Sequence, residues 1–184
     1  MASTDTERLF FALWPDPTLR ETIYKATRQA VKASGGKPVP AGNFHITLAF
    51  LGSLTRAEAA VAREVADGIQ GETFDLILDQ LGFWPKPRVV WLGASQVPEA
   101  AQRLTTGLLS GLRHRCLEPD AKPFMPHVTL ARKVSKPGEF RSVMPTPWPA
   151  RVFGLVQSVT HPAGSEYRVL QEWPLTARRA DSVE

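Results

Sequence analysis

Two short segments of the chain share one pattern. His45-Ile46-Thr47-Leu48-Ala49 recurs as His127-Val128-Thr129-Leu130-Ala131, and each copy follows a proline-bearing loop and an aromatic residue, Phe44 or Phe124. In an extended strand alternate side chains share a face. His45 and Thr47 therefore point one way and Ile46 and Leu48 the other, and the second copy repeats the arrangement. Two such strands side by side would set two imidazoles and two hydroxyls around one pocket. That set suits phosphodiester cleavage without a metal: one imidazole takes a proton from the attacking oxygen, and the other gives one to the leaving oxygen. An imidazole pKa of about 6.5 keeps both forms accessible near neutrality, and a positioned acid or base contributes on the order of 10²–10⁴-fold. The threonine hydroxyls can donate to non-bridging phosphoryl oxygens, where charge builds up. Arg132 has the opposite parity from His127 in an ideal strand, so it reaches such a phosphate only if the strand ends or bulges there.

A lone H-x-T is more often a buried histidine bonded to a carbonyl, and it is the repetition that argues for a site. The other two histidines read differently. His114 stands in Arg113-His114-Arg115 at a helix C-terminus, where positive charge complements the helix dipole. His161 precedes Pro162 in a turn. The four histidines show no H-E-x-x-H or H-x-H spacing, and Cys116 is the single cysteine, so a metal site lacks ligands. No G-x-S-x-G, Walker or dinucleotide-binding glycine pattern occurs, and no cofactor is expected.

The elements that must position these residues follow from hydrophobic pattern and punctuation. Residues 8–14 read as a buried strand. Asp16 is an N-cap and Pro17 the first residue of a helix over 17–33, with Leu19, Ile23, Ala26, Ala30 and Val31 at helical spacing and Gly35-Gly36 ending it. A loop from Lys37 to Asn43 leads to a strand over 44–51. Thr55 and Glu58 form a capping box for a helix running to about Gln70. Strands are expected over 73–82 and 87–93, separated by 83–86, and then a helix over 97–114. A proline-rich loop from Glu118 to Pro126 precedes a strand over 127–132. The 133–149 stretch carries Pro137, Pro145, Pro147 and Pro149 and reads as a long loop, before strands over 150–160 and 166–173 and a frayed tail from Ala177. Adjacent strands with short turns favour an α+β fold with mostly antiparallel sheets. The repeat suggests two similar halves, each lending a strand to a shared cleft.

The chain has 184 residues, 43% hydrophobic and 22% charged, an ordinary globular mix that argues against long disorder. The net charge of +4 suits an anionic ligand without demanding one. A single cysteine points to a reducing, cytoplasmic setting. No apolar run approaches membrane-spanning length, the N-terminus does not read as a signal peptide, and a monomer is the default.

Taken together, the RLFFAL, NFHITLAFLG, RVVWLG and PHVTLAR segments resemble the bacterial and archaeal RNA 2′,3′-cyclic phosphodiesterases of the two-histidine (2H) phosphoesterase superfamily, once called 2′-5′ RNA ligases. The resemblance runs from Arg8 to about Trp173. It implies a single bilobal domain over 1–184, with two pseudo-symmetric halves, antiparallel sheets flanking a central cleft and helices outside. It implies metal-independent hydrolysis of a terminal 2′,3′-cyclic phosphate to a 2′-phosphomonoester, on RNA ends or small cyclic nucleotides. His45 would be the proton donor to the 3′ oxygen and His127 the proton acceptor from water. Thr47, Thr129 and Arg132 would bind the phosphate. Phe11, on the early strand, is the candidate for stacking on a base, and Phe50, by parity, is assigned to the core. Arg8, Arg88 and Arg151 are basic residues that would contact an RNA backbone if they are not simply solvated. Two alternatives are 2′-5′ ligation in the same pocket and a non-catalytic RNA- or nucleotide-binding module.

Overall fold

Local signals set most helix ends in the computed structural model, which describes residues 6–120, 122–135, 143–162 and 164–177. The first strand, β1 (Thr6–Leu13), stops before Pro15, and Asp16 Oδ1 then accepts from Leu19 N at 2.8 Å to start α1 (Pro17–Ala33). The buried stripe of α1 is Ile23 and Thr27, while Ala26 is exposed. Thr27 satisfies its hydroxyl on the carbonyl of Ile23 at 2.8 Å. Thr55 and Glu58 form the expected capping box of α2 (Arg56–Asp67), which ends at Gly68 rather than at Gln70. In α3 (Glu99–His114) Ala101, Leu104, Leu108 and Leu112 line the buried face at helical spacing.

The expected loop over 37–43 contains a two-residue strand, β2 (Lys37–Pro38), and a 3₁₀ turn (Ala41–Asn43). After β3 (Ile46–Thr55), the single strand expected over 73–82 is two strands, β4 (Phe74–Leu78) and β5 (Gln80–Trp84). They part at Asp79, whose carboxylate accepts from Ser95 N at 2.8 Å and Ser95 Oγ at 2.5 Å. β6 (Val89–Gly93) and β7 (His127–Arg132) follow the expected bounds closely. The proline-rich stretch, expected as loop, contains β8 (Thr146–Ala150). Pro147 and Pro149 take its outward positions, while Trp148 points inward. A residue without an N–H is tolerated there because β8 has only β4 as a partner. The last strands are β9 (Val152–His161) and β10 (Gly164–Pro174). The tail expected to fray lies, beyond Ala177, outside the described residues.

The fold is α+β with antiparallel pairing throughout its named strands. One sheet runs β10-β9-β1-β3-β7-β6-β5, with β2 added to β7. It consists of two arms that meet at one residue pair, Ile46 with Val128. Both residues are fully buried in a core shared with Ile23 of α1, Ala62 of α2 and Leu104 and Leu108 of α3. The helices therefore cover one face of the sheet, and the opposite face is left to the alternate residues.

Candidate active site

The seam pairs the same position of the two motifs. When two equivalent residues pair antiparallel, a local two-fold axis passes between them. Counting outward from Ile46 and Val128 sets His45 opposite Thr129 and Thr47 opposite His127. All four have the opposite parity from the two buried residues, and all four are partly exposed. The expected meeting of the two motifs is therefore met in the structure, on the face that the helices leave open.

Both motif strands bulge at their leucine. Between β1 and β3, Phe11 pairs with Ala49 and Ala12 with Thr47, which leaves Leu48 without a partner. Between β6 and β7, Val90 pairs with Ala131 and Trp91 with Thr129, which leaves Leu130 in the same position. Leucine and alanine are consequently both buried in each copy. Beyond the bulge the alternation is inverted. The inversion turns Arg132 onto the histidine face, and its charge acts on both imidazoles. It also overturns the assignment of Phe50 to the core: Phe50 stands five residues after His45 as Arg132 does after His127, and it is partly exposed on the same face.

The histidines are held alike. His45 Nδ1 lies 2.8 Å from the Asn43 carbonyl, and His127 Nδ1 lies 2.7 Å from that of Met125. A carbonyl can only accept, so each Nδ1 carries the proton and each Nε2 is the nitrogen presented to a ligand. Their surroundings differ. His45 stacks on Trp14 (5.4 Å between centroids, 7° between planes) and meets Phe10 at 4.9 Å and Tyr167 at 5.1 Å. His127 meets one ring, Trp84, at 4.5 Å between centroids and 78° between planes, and Trp84 leans on Trp91. Burial pushes the His45 pKa down to about 4, opposed by the Asn43 bond and reinforced by the charges of His127 and Arg132. Burial also lowers His127, opposed by the Met125 bond, with Arg132 lowering it further. Without a ligand the site is thus two neutral imidazoles beside an arginine for which no carboxylate partner occurs among the described residues. An entering anion would favour uptake of one proton by the pair.

Phe11 is not available to a base. It is fully buried on the helix side, edge-on to Phe153 and Trp173. The aromatic of β1 that borders the site is Phe10, one residue earlier. Trp14, Tyr167 and Trp84 also border it, and none was expected from the sequence. Arg88 is committed to the carbonyls of Val134 and Lys133, and Arg151 to the Phe74 and Ala150 carbonyls and Asp75. Arg8 lies over the Phe50 ring at 4.7 Å. His114 ends α3 as expected, and His161 is an exposed residue 3.3 Å from Glu166. Among the described residues no three His, Cys, Asp or Glu side chains gather as a metal-binding group.

Residues 15–152 match the model of the 2′-5′ RNA ligase superfamily. The chain is similar to the RNA 2′,3′-cyclic phosphodiesterase of Escherichia coli, 34% identical over 179 residues that cover 94% of this chain and 99% of that one. The protein of the same description from Thermus thermophilus is 32% identical, covering 91% of this chain and 90% of its own. The crystal structure of E. coli LigT complexed with 3′-AMP superimposes with a TM-score of 0.87 at 32% identity, covering 94% and 99% of the two chains.

Proposed function

The chain belongs to the 2′-5′ RNA ligase superfamily, and we propose that it hydrolyses the 2′,3′-cyclic phosphate at the end of an RNA, or of a small cyclic nucleotide, to a 2′-phosphomonoester. The observation that carries this reading is the pairing of Ile46 with Val128. In-line displacement at phosphorus needs a base at one end of the oxygen–phosphorus–oxygen axis and an acid at the other. A two-fold axis through the seam meets that need, because it sets one imidazole on each side of a phosphate centred above it.

In the proposed step His127 Nε2 takes a proton from water as the water oxygen bonds to phosphorus. The bond from phosphorus to the 3′ oxygen breaks, and His45 Nε2 delivers its proton to that oxygen. A 3′-hydroxyl and a 2′-phosphate result, with the proton count conserved. Thr47 and Thr129 donate to the non-bridging oxygens, and Arg132 offsets the charge gathering on them. Because His45 is neutral in the free site, it gains the proton it delivers when the anion arrives, and the face of Trp14 stacked on it favours that cation. The division of labour between the two histidines follows the family resemblance. Supporting the nucleotide part of the reading, relatives at 34% and 32% identity bear the phosphodiesterase description. The same proposal includes a monomeric, cytoplasmic enzyme. No helix among the described residues is long and apolar enough to cross a membrane.

The test is to incubate the protein in excess EDTA with a 2′,3′-cyclic nucleotide and with a short RNA ending in the cyclic phosphate. A 2′-phosphate product is expected from both. No hydrolysis would refute the enzyme reading, activity abolished by EDTA would refute the metal-free step, and a 3′-phosphate product would refute the stated leaving oxygen.

A further inference from the structure

We propose that Arg8, laid on the Phe50 ring, binds a backbone phosphate of the RNA upstream of its cyclic-phosphate end, which makes this face of the sheet the path of the bound strand. The proposal rests on the hydrolysis of RNA ends described above. By the local two-fold, Phe50 occupies in the first half the position that Arg132 occupies in the second. The first half thus lacks an arginine at that position, and a guanidinium returns to the same face from the neighbouring strand, with Arg8 Cζ 4.7 Å from the Phe50 centroid.

Three further observations point to an anion. Of the three arginines that the sequence offered for RNA contact, Arg88 and Arg151 are held by carbonyls or a carboxylate. Arg8 is exposed, and its only partner among the described residues is the ring. Next, carboxylates near Arg8 are turned away or neutralised. Glu7 has the opposite parity and bonds Gln157 at 2.9 Å, and Asp120, whose N–H bonds the Phe50 carbonyl at 2.9 Å, is paired with Lys122 at 2.8 Å. Finally, packed aromatic rings connect Arg8 to the catalytic pair through the partly exposed Phe50 and the buried Phe10. Phe10, two residues along β1, touches His45, and Phe10 and Phe50 are cross-strand partners. Arg8 is four residues from Ala12, the partner of Thr47, a span on the order of 13 Å along the strand. That is too far for the phosphate being hydrolysed at Thr47, and it suits another phosphate of the same strand. A guanidinium resting on an aromatic face keeps its donors free in a fixed plane.

The experiment compares a 2′,3′-cyclic mononucleotide with a tetranucleotide ending in the same cyclic phosphate, using wild type, Arg8→Ala, Arg8→Lys and Phe50→Leu. The ratio of kcat/KM for tetranucleotide over mononucleotide should fall roughly threefold to tenfold in Arg8→Ala. It should fall less in Arg8→Lys, which keeps the charge, and in Phe50→Leu, which removes only the shelf. For binding of a tetranucleotide with a 2′-phosphate end, followed by fluorescence anisotropy over a salt series, the slope of log K against log salt concentration should fall in magnitude by about 0.7 in Arg8→Ala. An unchanged ratio or an unchanged slope in Arg8→Ala would overturn the assignment. Absence of turnover on the mononucleotide by the wild type would instead refute the hydrolase reading, and the salt slope would still decide the role of Arg8.

Discussion

Lowering the pH should destabilise this protein through His45 in particular, by an amount that follows from its burial. In the unfolded chain the imidazole titrates near 6.5, and in the folded protein burial holds it down to about 4. Between these values the unfolded state binds a proton that the folded state does not, so stability falls as pH falls. The contribution is complete above pH 6.5, declines through the interval and levels off below 4. At 1.36 kcal/mol per pH unit the loss between pH 7.5 and pH 5.0 is on the order of 2 kcal/mol. The assay is urea denaturation of wild type and His45→Gln at both pH values. Glutamine does not titrate, so the other groups that change protonation largely cancel in the comparison, including His127, whose lowered value acts in the same direction. Wild type should lose about 2 kcal/mol more than the variant. Equal losses in the two proteins would refute the claim that the free site holds a neutral, desolvated His45, and with it the coupling of proton uptake to substrate entry.

Two substitutions probe the packing behind the site. Phe11→Ala should cost about 3–5 kcal/mol of stability, since Phe11 is fully buried against Phe153 and Trp173; the milder Phe11→Leu should leave relative rates on the four cyclic mononucleotides unchanged, and a shift in that ranking would restore a base-binding role. Gly82→Ala should cost about 1–3 kcal/mol in a denaturant titration, because the new methyl would overlap the indole of Trp91, and an unaffected midpoint would show that Trp91 does not need the space.

Much of this structure is legible in short stretches of sequence. Asp16 with Pro17, and Thr55 with Glu58, mark helix starts through contacts only three residues long, and β7 is delimited by its motif. The elements that were not legible depend on distant partners. Asp79 divides one apparent strand in two because Ser95 caps its carboxylate, and β8 forms in spite of its prolines because β4 lies beside it. Phe10 and Phe11 are adjacent and chemically identical, so alternation alone does not say which of them faces the helices. The bulge at Leu48 leaves no mark that parity can read, and for that reason Phe50 is misassigned. The same bulge at Leu130 is what brings Arg132 to the site, a role that the family resemblance implies and that strand parity allows only if the strand distorts there.

The central claim is that His45 and His127 act as one acid–base unit across the seam. It is tested most directly by single-turnover rates on a cyclic-phosphate RNA for His45→Ala, His127→Ala and the double variant. Each single substitution should slow turnover by at least about 10²-fold with ligand binding largely kept, and the double variant should be little slower than the worse single one, as expected for groups that act together. Turnover near the wild-type rate in either folded single variant would contradict the account.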